Sequence, residues 1–292
     1  MKNQRFIRLT IFAFFWFVTI MIILGVGSAW IFISQLIYPG CPDPTLILGL
    51  PIPEEHWLGT EDGYSIRIWY YPTKNNAAII TFGGPVGSLG DHTFPNDALI
   101  QEGFGIVQVD TRACASPTAP VTLGGNELYD AKAALSFLQG QDSVDEGKIG
   151  AMGFSLGGAT AIRLAAQHPE IQSVVRDGGF SNLGELLNPS PRNSIPIEFF
   201  QIICLEIFRD TTGINPWDVS PVDDLKMIAP RPVLLIFGET EANYGLEQYK
   251  AAKEPKTLWI VPNGAHGMNY SVAPDEYKER LLTFFSQTLL NK

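Results

Sequence analysis

Positive charge is scarce in this chain of 292 residues: 20 Lys and Arg stand against 30 Asp and Glu, a formal net charge of −10. No Lys/Arg cluster with interleaved aromatics occurs, which argues against a phosphate backbone as partner, so nucleic acid is not expected. Cysteine is scarcer still, with only Cys41, Cys114 and Cys204. Three cannot all pair within one chain, and their spacing fits no zinc pattern. An exported location would permit one disulfide, although the sequence does not choose the pair. Cys114 lacks an adjoining His and reads as structural rather than nucleophilic. Histidine is limited to His56, His92, His168 and His266, which leaves four positions for a general base. No cluster of metal ligands is present, and neither a metal nor an organic cofactor is expected.

A local absence is as informative. After Lys2, Arg5 and Arg8, the stretch from Leu9 to Ile33 carries no charge, and the next basic residue is Arg67. A bilayer crossing takes ~20 apolar residues, so this stretch is long enough for one span. Basic residues on its N-terminal side alone predict a cytoplasmic N-terminus and a globular part outside the cytoplasm. Gly27-Ser28-Ala29 would suit signal-peptide cleavage, but the stretch exceeds the usual ~7–15-residue apolar core, and Trp30-Ile31-Phe32-Ile33 continues it. The expected organisation is an anchor over residues 1–38 (span about 9–33), a Pro-rich stalk over 39–58 and one catalytic domain over 59–292.

What the rest contains is alternation. Strand-like runs at Ser65–Tyr71, Ala77–Phe82, Gly105–Val109, Lys148–Phe154, Val174-Val175, Val233–Phe237 and Thr257–Val261 are interspersed with helical patterns at Asn126–Leu138, Ala159–Gln167, Leu246–Ala252 and Asp275–Leu290. Apolar strands separated by helices predict an α/β fold with a mostly parallel sheet covered on both faces. In such sheets sites gather at the carboxyl ends of strands.

Gly153-Phe154-Ser155-Leu156-Gly157-Gly158 stands between such a strand and a helix, where flanking glycines permit a sharp turn that exposes a serine. A serine hydroxyl also needs a base and an oxyanion hole. Ser155 is therefore the expected nucleophile, with the Leu156 N–H as one oxyanion donor and Gly84, in Phe82-Gly83-Gly84-Pro85, as the second. His266, in a Gly-rich turn after the last strand, is the expected base. His168 suits a helix end, His56 reads as structural, and His92 could at most touch substrate. The triad acid is expected at Glu241, with Glu239 and Asp177 as alternatives.

The elbow, the Phe82-Gly83-Gly84 loop, Glu241 and His266 stand in the order of α/β-hydrolases, which the chain resembles from about residue 60 onward. It looks most like membrane-anchored, small-lid members related to prolyl-oligopeptidase-type and dienelactone-hydrolase-type domains. Asp110-Thr111-Arg112-Ala113-Cys114-Ala115-Ser116 is similar to that family's Asp-x-Arg-Gly-x-Gly-x-Ser loop but has Ala113 and Ala115 in place of both glycines. The resemblance implies hydrolysis of an ester, thioester or amide through an acyl-enzyme, carboxylesterase-like, with a small-molecule or lipid-like acyl substrate. An acyltransferase with the same triad and a non-catalytic membrane-tethered binding module are the alternatives. A small lid is expected within residues 178–229, where Ile195 to Phe208 is unusually apolar.

Overall fold

The computed structural model describes residues 2–46, 49–86, 89–90, 94–187 and 195–291. His92 and part of the expected lid, residues 188–194, lie outside the described residues. Among those described, the strands are β1 (Glu54–Gly59), β2 (Ser65–Tyr71), β3 (Ala78–Phe82), β4 (Gly105–Val109), β5 (Ile149–Phe154), β6 (Ile171–Asp177), β7 (Val233–Gly238) and β8 (Lys256–Val261). They form one sheet in the order β1-β2-β4-β3-β5-β6-β7-β8, antiparallel at β1–β2 and β2–β4 and parallel from β4 to β8.

The helices are α1 (Lys2–Ile37), α2 (Asn96–Gln101), α3 (Arg112–Ala115), α4 (Glu127–Gln139), α5 (Leu156–Gln167), α6 (Leu183–Leu187), α7 (Ile195–Thr212), α8 (Pro221–Ile228), α9 (Ala242–Ala251), α10 (Asn269–Val272) and α11 (Pro274–Leu289). Two cores follow from strand alternation. Ile80, Val107 and Leu235 face Leu135 of α4 and Ile162 of α5, while their neighbours Ile79, Ile106 and Leu234 face Leu99 of α2 and Phe285 of α11. Each such side chain contributes about 1.5–3 kcal/mol by leaving water, which is why a strand buried on both faces, such as Val233–Phe237, reads as an apolar run.

Three departures from the sequence reading have physical causes. The stretch expected as stalk ends in β1, an edge strand whose polar Glu54 and Glu55 disguise it but whose backbone pairs with β2 throughout. The Asp110–Ser116 loop needs no glycine, because Arg112–Ala115 forms a helical turn in which no residue has a positive φ. Arg112 is fully buried there, bound by Nε and Nη2 to Asp130 at 3.0 and 2.9 Å and by Nη2 to Asp62 at 2.8 Å. Finally, α1 does not end in a free tether. Cys41 is disulfide-bonded to Cys114, and the Val121 N–H donates to the Ile37 carbonyl at 2.8 Å. Cys204 is free and buried.

Candidate active site

Ser155 sits between β5 and α5 with φ 54° and ψ −113°, a conformation that non-glycine residues adopt only under strain. Close packing makes the flanking glycines obligatory. A Cβ on Gly153 would lie 2.0 Å from the Gly157 carbonyl oxygen, and one on Gly157 would lie 2.2 Å from that of Phe82. Leu156 opens α5, so its N–H is one of the amides without an intrahelical acceptor. The Gly83 carbonyl accepts the Gly157 N–H at 3.1 Å and the Gly84 carbonyl accepts the Thr111 hydroxyl at 3.1 Å, which fixes the loop after β3 beside the elbow.

His266 lies in the turn after β8, its Nε2 2.9 Å from Ser155 Oγ and its Nδ1 2.8 Å from Glu241 Oε1. The Glu241 hydrogen bond holds the imidazolium form and raises the His266 pKa above its usual 6.5, against an opposing effect of burial. The two glutamates after β7 part company because Glu239–Glu241 forms a 3₁₀ turn, in which residues two apart point about 120° from one another. Glu239 accepts the Asn263 N–H at 2.9 Å instead. Asp177 is not on the imidazole. Buried at the end of β6, it accepts from Asn269 Nδ2 at 2.6 Å and Tyr277 OH at 2.7 Å, and burial pushes its carboxyl up to about 6. Of the other histidines, His56 rests on the Phe137 ring and His168 stands 3.7 Å from Glu170.

A family model for X-Pro dipeptidyl-peptidases of the S15 family matches residues 60–186. The uncharacterized protein MT2364 of Mycobacterium tuberculosis (strain CDC 1551 / Oshkosh) is 31% identical over 233 residues, covering 77% of this chain and 76% of its own. Cutinase est1 of Thermobifida alba is 24% identical over 116 residues, 39% of each chain. The Pyrococcus furiosus esterase Pf2001 superposes with a TM-score of 0.65 at 21% identity, over 86% of this chain and 98% of that one. The chain belongs to the α/β-hydrolase family of serine hydrolases. It is a hydrolase of the esterase or peptidase type.

Several residues that support this α/β-hydrolase site escaped the sequence reading. Gly178, at φ +64°, leaves room for the His–Glu pair, since a Cβ there would lie 3.2 Å from both Glu241 Oε2 and His266 Nδ1. Arg176 is wholly buried beneath it and donates to the carbonyls of Gly178 at 3.0 Å and Phe180 at 2.5 Å. Burial pushes its guanidinium down to about 9, against the pull of Glu241 and Asp224. The Phe154 ring lies against the imidazole, tilted by 40° with ring centres 4.8 Å apart. No sequence periodicity marks these roles, which depend on loops that meet only in the folded hydrolase.

Beside Ser155 opens a cavity of about 550 Å³. Its lining, among the described residues, is uncharged: Leu123, Phe180 and Leu187 from the catalytic domain, Phe200 of α7, and Phe32 and Leu36 of α1 are its main apolar members.

Proposed function

We propose that this hydrolase is a carboxylesterase that works through an acyl-enzyme on Ser155, tethered to a membrane by α1. His266 takes the hydroxyl proton as Ser155 Oγ attacks the acyl carbon. Glu241 holds the imidazole in the tautomer that leaves Nε2 free to accept, and stabilises the cation that results. The Leu156 N–H, and that of Gly84, stabilise the oxyanion. The imidazolium then gives its proton to the leaving alcohol. Water, deprotonated by the same His266, attacks the acyl-serine, which releases the acid and restores the hydroxyl.

The observation that carries this reading is the hydrogen-bonded line from Ser155 through His266 to Glu241, at 2.9 and 2.8 Å. Among the described residues the lining beside Ser155 is uncharged, which favours an ester over a peptide with a charged terminus, because no described counter-ion would meet that charge as it is desolvated. The apolar helix Phe6–Ile37 supports the tether, and a disulfide between Cys41 and Cys114 supports a domain outside the cytoplasm. A fluorophosphonate probe is expected to label the wild type and not Ser155→Ala, and p-nitrophenyl butyrate to be cleaved by the first alone. A folded wild type that neither labels nor turns over would end the proposal.

A further inference from the structure

The end of α1 forms one wall of the cavity at Ser155. Between Phe6 and Ser28 the side chains of this helix are exposed or half-exposed, so nothing described in the chain covers them. Ala29, Ile33 and Ile37, spaced four apart on one face, are then buried in a cluster with Leu123, Cys204 and Phe208. Phe32 and Leu36, also four apart, line the cavity, and the Phe32 ring lies 6.4 Å from that of Phe200 on α7. The disulfide and the Ile37–Val121 hydrogen bond hold this wall to the catalytic domain.

Helix length sets the height of that wall. Phe6–Ile37 has 32 residues, about 48 Å at ~1.5 Å each, whereas a hydrocarbon core of ~30 Å takes up ~20. About twelve residues are left over. Counted from Leu9, after Arg8, ~20 residues end near Ser28, where the exposed stretch also ends, and not at the expected residue 33, so Phe32 and Leu36 lie beyond the core, beside the headgroups. The rim of the cavity agrees with this placement. Phe32, Leu186 and Ile197 are each about half exposed although they line it, and Phe199 and Ile202 extend the apolar surface along α7. An apolar opening with an apolar rim is unfavourable in water and favourable against lipid.

Resting on the serine-esterase reading above, we propose that the substrate is a membrane lipid with a long acyl chain, drawn from the leaflet beside the catalytic domain. Its chain lies between α1 and α7, and its ester carbonyl meets Ser155. Hydrolysis breaks the bond between acyl carbon and ester oxygen. Water supplies the hydroxyl that joins the acyl carbon and the proton that joins the leaving oxygen, so a fatty acid and a lipid alcohol are released. Gln201, whose side-chain oxygen is buried without a partner among the described residues, lines the same cavity and offers the lipid a polar contact.

The test uses the full-length chain with soluble p-nitrophenyl esters from acetate to octanoate, and then with monoolein carried in phosphatidylcholine vesicles. The ratio kcat/KM should climb by up to roughly fourfold per added methylene, the value of burying one CH₂, and oleate should be released from the vesicles. Leu36→Trp, which fills the cavity, should lower the octanoate-to-acetate ratio at least tenfold, with a wild-type circular-dichroism spectrum and melting transition showing that the variant is folded. A flat or falling chain-length profile in a wild type that labels, or intact monoolein beside cleaved octanoate ester, would overturn the lipid proposal and leave the esterase standing. Absence of labelling and of all ester cleavage would sink both.

Discussion

Replacing Glu241 by Gln tests the chemistry most directly, because it removes one charge and almost no volume. Glu241 Oε1 accepts from His266 Nδ1 at 2.8 Å, so in the proposed mechanism the carboxylate faces the cation that forms as Ser155 attacks. With charge centres roughly 4 Å apart and an effective dielectric of about 20, the attraction is about 4 kcal/mol, or roughly 10³-fold in rate. A Gln amide can in addition donate to Nδ1, which moves the proton to Nε2 and blocks that atom as a base. Loss of the correct tautomer in such a triad brings the total to roughly 10⁴-fold. The pH profile supplies a second, independent readout. His266 must be neutral to act as a base, and its pKa is raised chiefly by the Glu241 hydrogen bond, with burial acting the other way. In the wild type kcat/KM should therefore rise with pH and level off only above a pKa higher than 6.5. In Glu241→Gln the residual activity should level off at lower pH. The assay is kcat/KM for p-nitrophenyl butyrate across the range from about pH 5 to 9. A loss smaller than tenfold, or an acid limb that stays in place, would refute the assignment, as would a larger loss in Asp177→Asn.

Three further outcomes follow from the same geometry. Ser155→Gly should melt a few degrees above Ser155→Ala in a thermal scan: glycine relieves strain of about 1–3 kcal/mol at φ 54° and gives back about 0.5–1 kcal/mol in unfolded-chain entropy. Equal or reversed melting temperatures would mean the elbow is unstrained. Gly157→Ala places a Cβ 2.2 Å from the Phe82 carbonyl oxygen, so it should destabilise by about 1–3 kcal/mol and remove activity even in the fraction that stays folded; wild-type turnover would contradict the close approach. Thiol counting on denatured, unreduced protein should find one free cysteine, Cys204, and Cys114→Ser should cost about 4 kcal/mol by opening a cross-link that spans 73 residues. Three reactive thiols would rule the bridge out.

The parallel sheet was legible because strands buried on both faces are mostly apolar, as Val233–Phe237 is throughout and Ala78–Phe82 is apart from Thr81. Edge strand β1 was not, since one side of it meets solvent and its composition blends into the prolines before it. The seam on α1 was hidden for the opposite reason. A helix that is apolar all round has no periodicity from which to tell that Ala29, Ile33 and Ile37 face the protein. The site separates in the same way. Ser155 and His266 carry local signatures in their glycine turns, whereas Glu241, Glu239 and Asp177 are chemically alike. What distinguishes them is the direction in which a 3₁₀ turn points each carboxylate, and the claims of Asn269 and Tyr277 on Asp177.

The two halves of the site are built to different tolerances. On the polar side, backbone hydrogen bonds continue the sheet beyond its strand ends: Gly157 N–H to the Gly83 carbonyl at 3.1 Å, Ser155 to Asp177 at 2.8 Å, Gly178 to Ile236 at 2.8 Å and Thr240 to Gly264 at 3.3 Å. Every loop that bears a member of the Ser–His–Glu line is thereby tied to its neighbour, and the proposed proton transfer, which would fail with displacements of an ångström, is referred to the sheet. The apolar side has a different construction. Phe32, Leu36 and Phe200 meet through side-chain contact between two helices. Hydrophobic burial does not depend on direction, so an acyl chain can be held against that wall without a fixed set of partner atoms. Directional bonds at the carbonyl to be attacked, and non-directional contact along the chain to be held, are what the proposed lipid-esterase reaction requires of the two sides.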